Sequence, residues 1–152
     1  MVQQKPLGAE LSLIDRLIDH EQGYIDQFRA GLRRDLEDLL NTNLRVRSIP
    51  SDLEELDFSI ANYGILDLLT SNLTTQSERQ KVINTIKEVV EKFEPRLMNV
   101  SITEISTDEV RSHTLGLKLV AETIIGSSSE EIIFHTKVDI STGSIKADVN
   151  SR

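Results

Sequence analysis

The sequence has no cysteine and no tryptophan, and aromatic residues make up only 4% of its 152 residues. The absence of cysteine excludes disulfides, thiolate nucleophiles and cysteine-ligated metal sites. The scarcity of aromatic side chains predicts an aliphatic core, and it disfavours a sugar-binding cleft lined by aromatic rings. A chain of this length fits one domain and can bury a core of ordinary size without staples.

Long apolar runs and basic charge are also scarce. No run approaches the roughly 18–20 apolar residues of a membrane span, and the first residues lack the pattern of a signal peptide. The formal net charge is −8, so the phosphates of a nucleic acid would repel the protein on average. We therefore predict a cytoplasmic protein with no nucleic-acid partner and no direct membrane insertion.

Three helices are predicted in the first two thirds of the chain. Apolar residues recur at helical spacing over residues 12–20 and 23–40, and a third helix begins after Thr75. Thr75 and Glu78 form a capping box, in which each can satisfy a free amide of the other, and Pro95 stops the helix. The apolar positions of the three helices are Leu13, Ile14, Leu17 and Ile18; Ile25, Phe28, Leu32, Leu36, Leu39 and Leu40; and Val82, Ile83, Ile86, Val89, Val90 and Phe93.

The period of the apolar residues then changes from 3.6 to 2, which predicts strands from about residue 98 onward. Residues 126–129 and 141–144 have the composition of turns between strands. This order predicts an α+β fold, with N-terminal helices packed on a C-terminal, mostly antiparallel sheet in two layers. We predict a flexible segment over residues 1–11 and a single domain over residues 12–152.

No pattern of catalytic residues is readable. The three histidines are far apart in sequence without metal-ligand spacing, and neither a phosphate-binding glycine loop nor a nucleophile elbow is present. Pairs of carboxylates at the spacing of a glycosidase are uninformative, because 25 acidic residues will always supply one. We predict no enzymatic activity, no cofactor and no metal.

One local feature is the sequence Glu94-Pro95-Arg96-Leu97, at the junction of the third helix and the first strand. Pro95 fixes the direction in which the chain leaves the helix. Arg96 can make forked contacts to a carboxylate or to the carbonyls at a helix end. Two interpretations remain open: an internal ion pair that braces the corner, and a contact that docks another protein.

Four short motifs follow one another along the chain. They are SLIDRL at residues 12–17, RDLE with LLNT at 34–42, SIANYGILDL at 59–68 and EPRL at 94–97. In this order they resemble the TssE family of type VI secretion baseplate subunits, relatives of the wedge proteins of contractile phage baseplates. The sequence departs from the usual family pattern at Asn43, where an arginine is common, and at Leu66, where a proline is common.

The resemblance implies a structural component of the type VI secretion baseplate. Such a subunit would join the wedge proteins TssF and TssG, with TssK as a further contact, at the cytoplasmic face of the inner membrane. It would offer its sheet, near the EPRL corner, to the first ring of TssB and TssC sheath subunits. The residues expected to bind partners are Glu94, Pro95, Arg96, Arg34, Tyr63 and Asp67.

Two other functions stay open. The homologous wedge of a phage tail or a phage-derived injection device shares the core motifs, although the SLIDRL start favours the secretion system. A peptidoglycan hydrolase is the third alternative, because this family often carries a lysozyme label.

Overall fold

The structure is a computed structural model that describes residues 11–17, 23–44, 56, 59–65, 75–105, 114–125, 128–139, 142 and 144–150. Residues 148–150 are described by their backbone only. Helices precede a four-stranded antiparallel sheet, so the predicted α+β class is confirmed. The predicted N-terminal segment lies almost wholly outside the described residues, and the single-domain assignment stays a prediction. The elements are α1 (Leu13–Leu17), α2 (Tyr24–Asn41), a 3₁₀ turn (Ile60–Asn62), α3 (Gln76–Phe93), β1 (Met98–Ile105), β2 (Thr114–Ile125), β3 (Ser128–Asp139) and β4 (Ser144–Asn150).

The third helix begins and ends where its local signals predict. The amide of Glu78 donates a hydrogen bond to the hydroxyl of Thr75 over 3.3 Å, and that hydroxyl donates to the Glu78 carboxylate over 3.0 Å. At the other end, the amide of Glu94 still bonds to the Val90 carbonyl, and Pro95 then ends the helical ladder. The local capping chemistry therefore sets the length of α3.

The end of α2 is close to its predicted position. Asparagine tolerates the left-handed conformation that often ends a helix, yet Thr42 caps α2 in an extended conformation, with φ −82°. Side chains bond to two carbonyls near this end, since Asn41 Nδ2 donates to Glu37 O and Thr42 Oγ1 donates to Asp38 O. This frees the chain to turn directly into its next contact, a short parallel bridge between Asn43 and Ile65.

The four strands form a meander in the order β1-β2-β3-β4. The turn predicted at 126–129 is shorter than expected, because Ser128 and Ser129 pair with Ile125 and Ile124 as part of β3. Ser144 likewise begins β4 through its pairing with Asp139. Small polar residues can extend a hairpin when the ladder continues through them, so composition alone overestimated the turns.

A single described cluster of buried apolar residues, most of them aliphatic, joins α2, α3 and one face of the sheet. Burial alternates along β2 and β3, as predicted for a sheet with one covered face. Within the described residues, no helix combines the length and the apolar character needed to cross a bilayer. The largest fully buried members are Phe28, Phe134, Leu32, Leu36, Ile86, Leu117, Val90 and Val138.

The first helix forms as predicted over Leu13–Leu17, but its apolar side does not enter the core. Leu13 is 78% exposed and Leu17 is 84% exposed, whereas Asp15 between them is only 2% exposed. Ile25, which we expected on the buried stripe of α2, is also 41% exposed. Leu11, just before α1, packs against the core, but α1 itself turns its polar residue Asp15 inward, towards the charged residues of α2.

Candidate functional site at the junction of α3 and β1

The corner after α3 folds two charged side chains onto each other. Arg96 Nε lies 2.6 Å from Glu94 Oε1, and Arg96 Nη2 lies 2.6 Å from Glu94 Oε2. Pro95 between them is exposed, and a turn bond from the Leu97 amide to the Glu94 carbonyl holds the corner. The Glu94 side chain is only 7% exposed and that of Arg96 12%, so this bidentate pair is largely shielded from solvent.

Arg96 also reaches α2. Its Nη2 atom lies 2.6 Å from Asp35 Oδ2, and its guanidinium carbon lies 6.0 Å from the centre of the Phe28 ring. Burial alone would lower the pKa of Arg96, but hydrogen bonds and charge attraction from Glu94 and Asp35 raise it well above the ordinary value. Arg96 is therefore a permanent cation that holds the corner against α2.

Asp35 continues the chain of charges to α1. Arg34 Nη2 lies 3.2 Å from Asp35 Oδ1 and 2.9 Å from Asp15 Oδ1. Five residues, Glu94, Arg96, Asp35, Arg34 and Asp15, thus form one line of alternating charges, which we call the charged network. It contains three carboxylates and two guanidinium groups, so it carries an excess of one negative charge.

Asp15 attaches α1 to this network. The Ser12 hydroxyl donates to Asp15 Oδ2 over 2.7 Å, and Gln27 Nε2 donates to the Asp15 carbonyl over 2.6 Å. Burial alone would raise the pKa of Asp15, but the bonds from Ser12 and Arg34 hold it below its ordinary value. The docked α1 therefore contains an ionised carboxylate, and polar contacts of Asp15 attach it to α2, next to the apolar contact that Leu11 makes with the core.

Gly31 in the middle of α2 makes room for this carboxylate. A Cβ atom built at Gly31 would lie 2.9 Å from Asp15 Cγ and closer still to one of its oxygens. Glycine inside a helix costs roughly 1 kcal/mol relative to alanine, a cost that helix packing has to offset. The structure supplies the reason for this glycine, since any side chain there would displace Asp15 from Arg34.

We expect Gly31→Ala to destabilise the protein by about 1 kcal/mol, although alanine favours the helix, because it disrupts the contact between Asp15 and Arg34. In an Asp15→Ala background the same substitution should stabilise by roughly 0.5–1 kcal/mol, since the obstructing carboxylate is gone. Urea unfolding of the four proteins measures this reversal. A stabilising Gly31→Ala in the wild-type background would contradict the proposed role of the glycine.

Tyr63 lies beside the same corner. Its ring meets Phe93 edge-to-face, with centroids 5.4 Å apart. Burial raises the pKa of the Tyr63 phenol, and nearby carboxylates, chiefly Asp38 and Asp35, raise it further. The phenol therefore stays protonated at neutral pH, and its hydroxyl is available as a donor.

The structure brings together most of the residues that the motifs singled out. Glu94, Arg96 and Arg34 belong to the charged network, Tyr63 lies close to it, and Pro95 is exposed on the corner. Asp67 lies outside the described residues. Both sequence interpretations of the corner remain compatible with this geometry, because the ion pair is internal while Pro95 and part of Arg34 face solvent.

Sequence reasoning missed Asp35, Asp15 and Gly31 as members of the site. Asp35 bridges the two arginines, and without it the corner and α1 would not be connected. Asp35 lies in the RDLE motif and Asp15 in the SLIDRL motif. Of the charged residues in these two motifs, the sequence analysis named only Arg34 as a site residue. The sequence does indicate that packing must offset the cost of Gly31 inside the helix, but not that the packing partner is the carboxylate of Asp15.

In the part of the chain that the structure describes, no three histidine or carboxylate side chains are arranged to hold a metal ion. Of the histidines, only His135 is described, half-buried on β3 and apart from the charged network. The arrangement is a set of braced charges beside an exposed turn, which suits binding to another protein.

The comparison with known families agrees with the motifs. Residues 26–124, well over half of the chain, match the family model described as baseplate wedge protein gp25. Searches among curated proteins and among solved structures found no match. The chain is therefore a component of a phage-tail-like baseplate. It belongs to the gp25 family of baseplate wedge proteins, which confirms the family resemblance of the four motifs.

Proposed function

We propose that this protein is the TssE-type wedge subunit of a type VI secretion baseplate, joining TssF and TssG and starting the TssB and TssC sheath. One observation carries the proposal. The four motifs of the resemblance, far apart in sequence, meet at the charged network: Asp15, Arg34 with Asp35, and Arg96 with Glu94 are members, and Tyr63 lies beside them. The SLIDRL motif adds independent support, because residues 12–17 lie outside the family match.

The network has an inner part and an outer part. Glu94 and Arg96 are largely covered, so their role is to hold the corner in shape. Arg34, with a side chain 37% exposed, and the exposed Pro95 form the rim that a partner can touch. Bracing and docking are thus performed by different residues of one site. A partner would meet a preorganised rim, which lowers the entropic cost of binding.

The proposal includes no catalytic step. Both oxygens of Glu94 are engaged by Arg96, so this carboxylate is not available as an acid catalyst. Asp15 is likewise held by Ser12 and Arg34. A glycosidase needs one carboxylate free to protonate the leaving group, and the carboxylates of this site are committed to ion pairs.

The test is an affinity pull-down of the tagged protein from its native host, with co-purifying proteins identified by mass spectrometry. We expect the wild type to recover wedge and sheath proteins. Arg34→Ala should reduce recovery of wedge proteins about tenfold, the effect of losing one charged contact at an interface. Arg33→Ala is the matched control, because Arg33 is the neighbouring residue on α2 and, among the described residues, its ion pair is a long one of 3.8 Å with Glu37.

A second control separates docking from the attachment of α1. Asp15→Ala breaks the same ion pair but leaves the Arg34 guanidinium in place, so it should retain partner recovery if Arg34 itself touches the partner. Wild-type recovery of phage-tail wedge proteins would favour the alternative, an injection device of phage origin, which the family match also supports. Recovery of neither kind, with a clear zymogram on peptidoglycan, would replace the proposal with the hydrolase.

A further inference from the structure

The first half of α2 contains a notch that is shaped for a carboxylate. Gly31 lies at its base, because a Cβ atom at this position would lie 2.9 Å from the carboxylate carbon of Asp15. Arg34 lies at its side, since Arg34 Nη2 is 2.9 Å from Asp15 Oδ1. Residues three positions apart are neighbours on one face of a helix, so α2 supplies both groups by itself. We call Gly31, Arg34 and the space between them the carboxylate notch.

The carboxylate of Asp15 is held in this notch as closely as a bound ligand. Asp15 is buried, and its second oxygen accepts a hydrogen bond from the Ser12 hydroxyl over 2.7 Å. Arg34 Nη2 also lies 3.2 Å from Asp35 Oδ1, a second contact that holds the guanidinium in position. Because Gly31, Arg34 and Asp35 all belong to α2, the carboxylate notch keeps its shape and its cation when Asp15 leaves.

The helix that supplies the carboxylate gains little from apolar burial. Its three apolar side chains, Leu13, Ile14 and Leu17, are all exposed. With five residues, α1 is also far shorter than the roughly 12–15 residues that make an isolated helix even marginally stable in water. Its position therefore depends on the polar contacts of Asp15, while Leu11, just before it, keeps the chain anchored in the core when those contacts break.

We propose that the carboxylate notch is a binding site for an acidic side chain of a partner protein, and that α1 is a displaceable cover that fills it with Asp15. The ligand class follows from the site, which has room for a carboxylate beside Gly31 and a cation to pair with it. Arg34 is partly exposed, so a partner can reach it from solvent. A partner that binds here exchanges with Asp15 for the same guanidinium, and the docked α1 is an autoinhibitory contact.

The first test empties the carboxylate notch and refills it with formate, which replaces the group that Asp15→Ala removes. A ligand that binds only the folded state multiplies the folding equilibrium constant by 1 + [L]/Kd. For one partly exposed ion pair we expect a Kd on the order of 0.1–0.5 M. In urea unfolding, 0.5 M sodium formate should therefore raise this constant of Asp15→Ala roughly twofold to sixfold relative to 0.5 M sodium chloride.

Two controls show where formate binds. The wild type should show no difference between the two salts in urea unfolding, because Asp15 already fills its notch. The double variant Asp15→Ala with Gly31→Ala should show none either, since the added methyl group closes the notch while Arg34 remains. An equal effect of formate on the double variant would mean an adventitious ion elsewhere on the protein, and it would overturn the site.

The second test uses the wild type alone, so it does not depend on how the variants fold. The Arg16 amide donates to the Ser12 carbonyl over 3.1 Å within the docked segment, so its hydrogen exchange reports the opening of α1. Formate that occupies the vacated notch should raise this exchange rate by the same factor of 1 + [L]/Kd as in the first test, relative to chloride. The Ile86 amide in the middle of α3 is the internal control and should exchange equally in both salts.

The third test separates a protein side chain from a small free carboxylate as the ligand. A peptide of residues 12–17 with blocked ends can contact Arg34 and accept the bond from Gln27 at once. We expect it to stabilise Asp15→Ala as much as formate does at about one tenth of the concentration, and the same peptide with Asp15→Asn to have no effect. A peptide without effect where formate acts would overturn the protein side chain as the ligand.

Two further results would contradict the displaceable cover. If formate does not stabilise Asp15→Ala, α2 alone does not form a site for a carboxylate. If Arg16 exchanges as slowly as Ile86 and formate does not accelerate it, α1 is a fixed part of the fold. All three tests use the isolated protein without any baseplate component, so failure of the proposed function would leave their outcomes unchanged.

Discussion

Arg96→Ala should lower the free energy of unfolding by about 3–5 kcal/mol, the effect of removing one partner of a buried ion pair. Glu94, with a side chain 7% exposed, would lose both of its bonds to the guanidinium, and Asp35 would lose its closest cation. The contact of the Arg96 guanidinium with the Phe28 ring would be lost as well. Urea or thermal unfolding monitored by circular dichroism measures the change.

The conservative variant is informative because lysine cannot reproduce the fork. Arg96→Lys keeps the charge but can satisfy only part of the contacts to Glu94 and Asp35, so we expect a loss between those of wild type and Arg96→Ala. A loss below about 1 kcal/mol for Arg96→Ala would mean that the pair is solvated and does not brace the corner.

The destabilisation by Arg96→Ala limits what this variant can show about partner binding. Loss of baseplate assembly in Arg96→Ala would not distinguish docking from bracing, because a destabilised corner also disturbs Arg34 and Pro95. The double variant Glu94→Leu with Arg96→Met replaces the pair by apolar side chains, a change that is often neutral or stabilising. If it is stable and assembles, the pair only braces; if it is stable and fails to assemble, the pair contacts a partner.

Gly64→Ala should cost about 3 kcal/mol, from backbone strain of roughly 1–3 kcal/mol together with a steric conflict. Gly64 has φ +110°, a conformation that alanine rarely adopts. A Cβ there would also collide with the backbone carbonyl of Thr42, which cannot move aside as a side chain could. That carbonyl accepts a bond from the Ile65 amide over 2.9 Å, so the conflict also breaks the link between the turn and the end of α2.

The matched control for this prediction is Gly23→Ala. Gly23 precedes α2 with an ordinary φ of −62° and no atom within 4 Å of a built Cβ, so the effect should stay within about 1 kcal/mol. The midpoints of urea unfolding give the stabilities of the two variants, provided that their m-values equal that of the wild type. Equal effects of the two substitutions would show that the conformation of Gly64 is not required. A large effect of Gly64→Ala alone would also explain the glycine of the NYG motif, since it positions Tyr63 against Phe93.

Features governed by near neighbours could be predicted from the sequence. The limits of α3 follow from Thr75, Glu78 and Pro95, which act within one helical turn. The change of apolar period near residue 98 predicted the sheet, because side chains alternate on any strand whatever its partners. The pairing of Glu94 with Arg96 was one of two interpretations, and two residues on a stiff corner can indeed reach each other.

Features that join distant parts of the chain were decided by tertiary structure alone. The role of Asp35 depends on its contact with Arg96, which lies 61 residues further along the chain. The exposed apolar side of α1 contradicts its own periodicity, because the ion pair of Asp15 with Arg34 determines which side docks. Asn41, the last residue of α2, accepts a hydrogen bond from the backbone of a strand residue 104 positions away. Local sequence determines which backbone groups and charges need partners, and only the packing of the elements determines which partners come within reach.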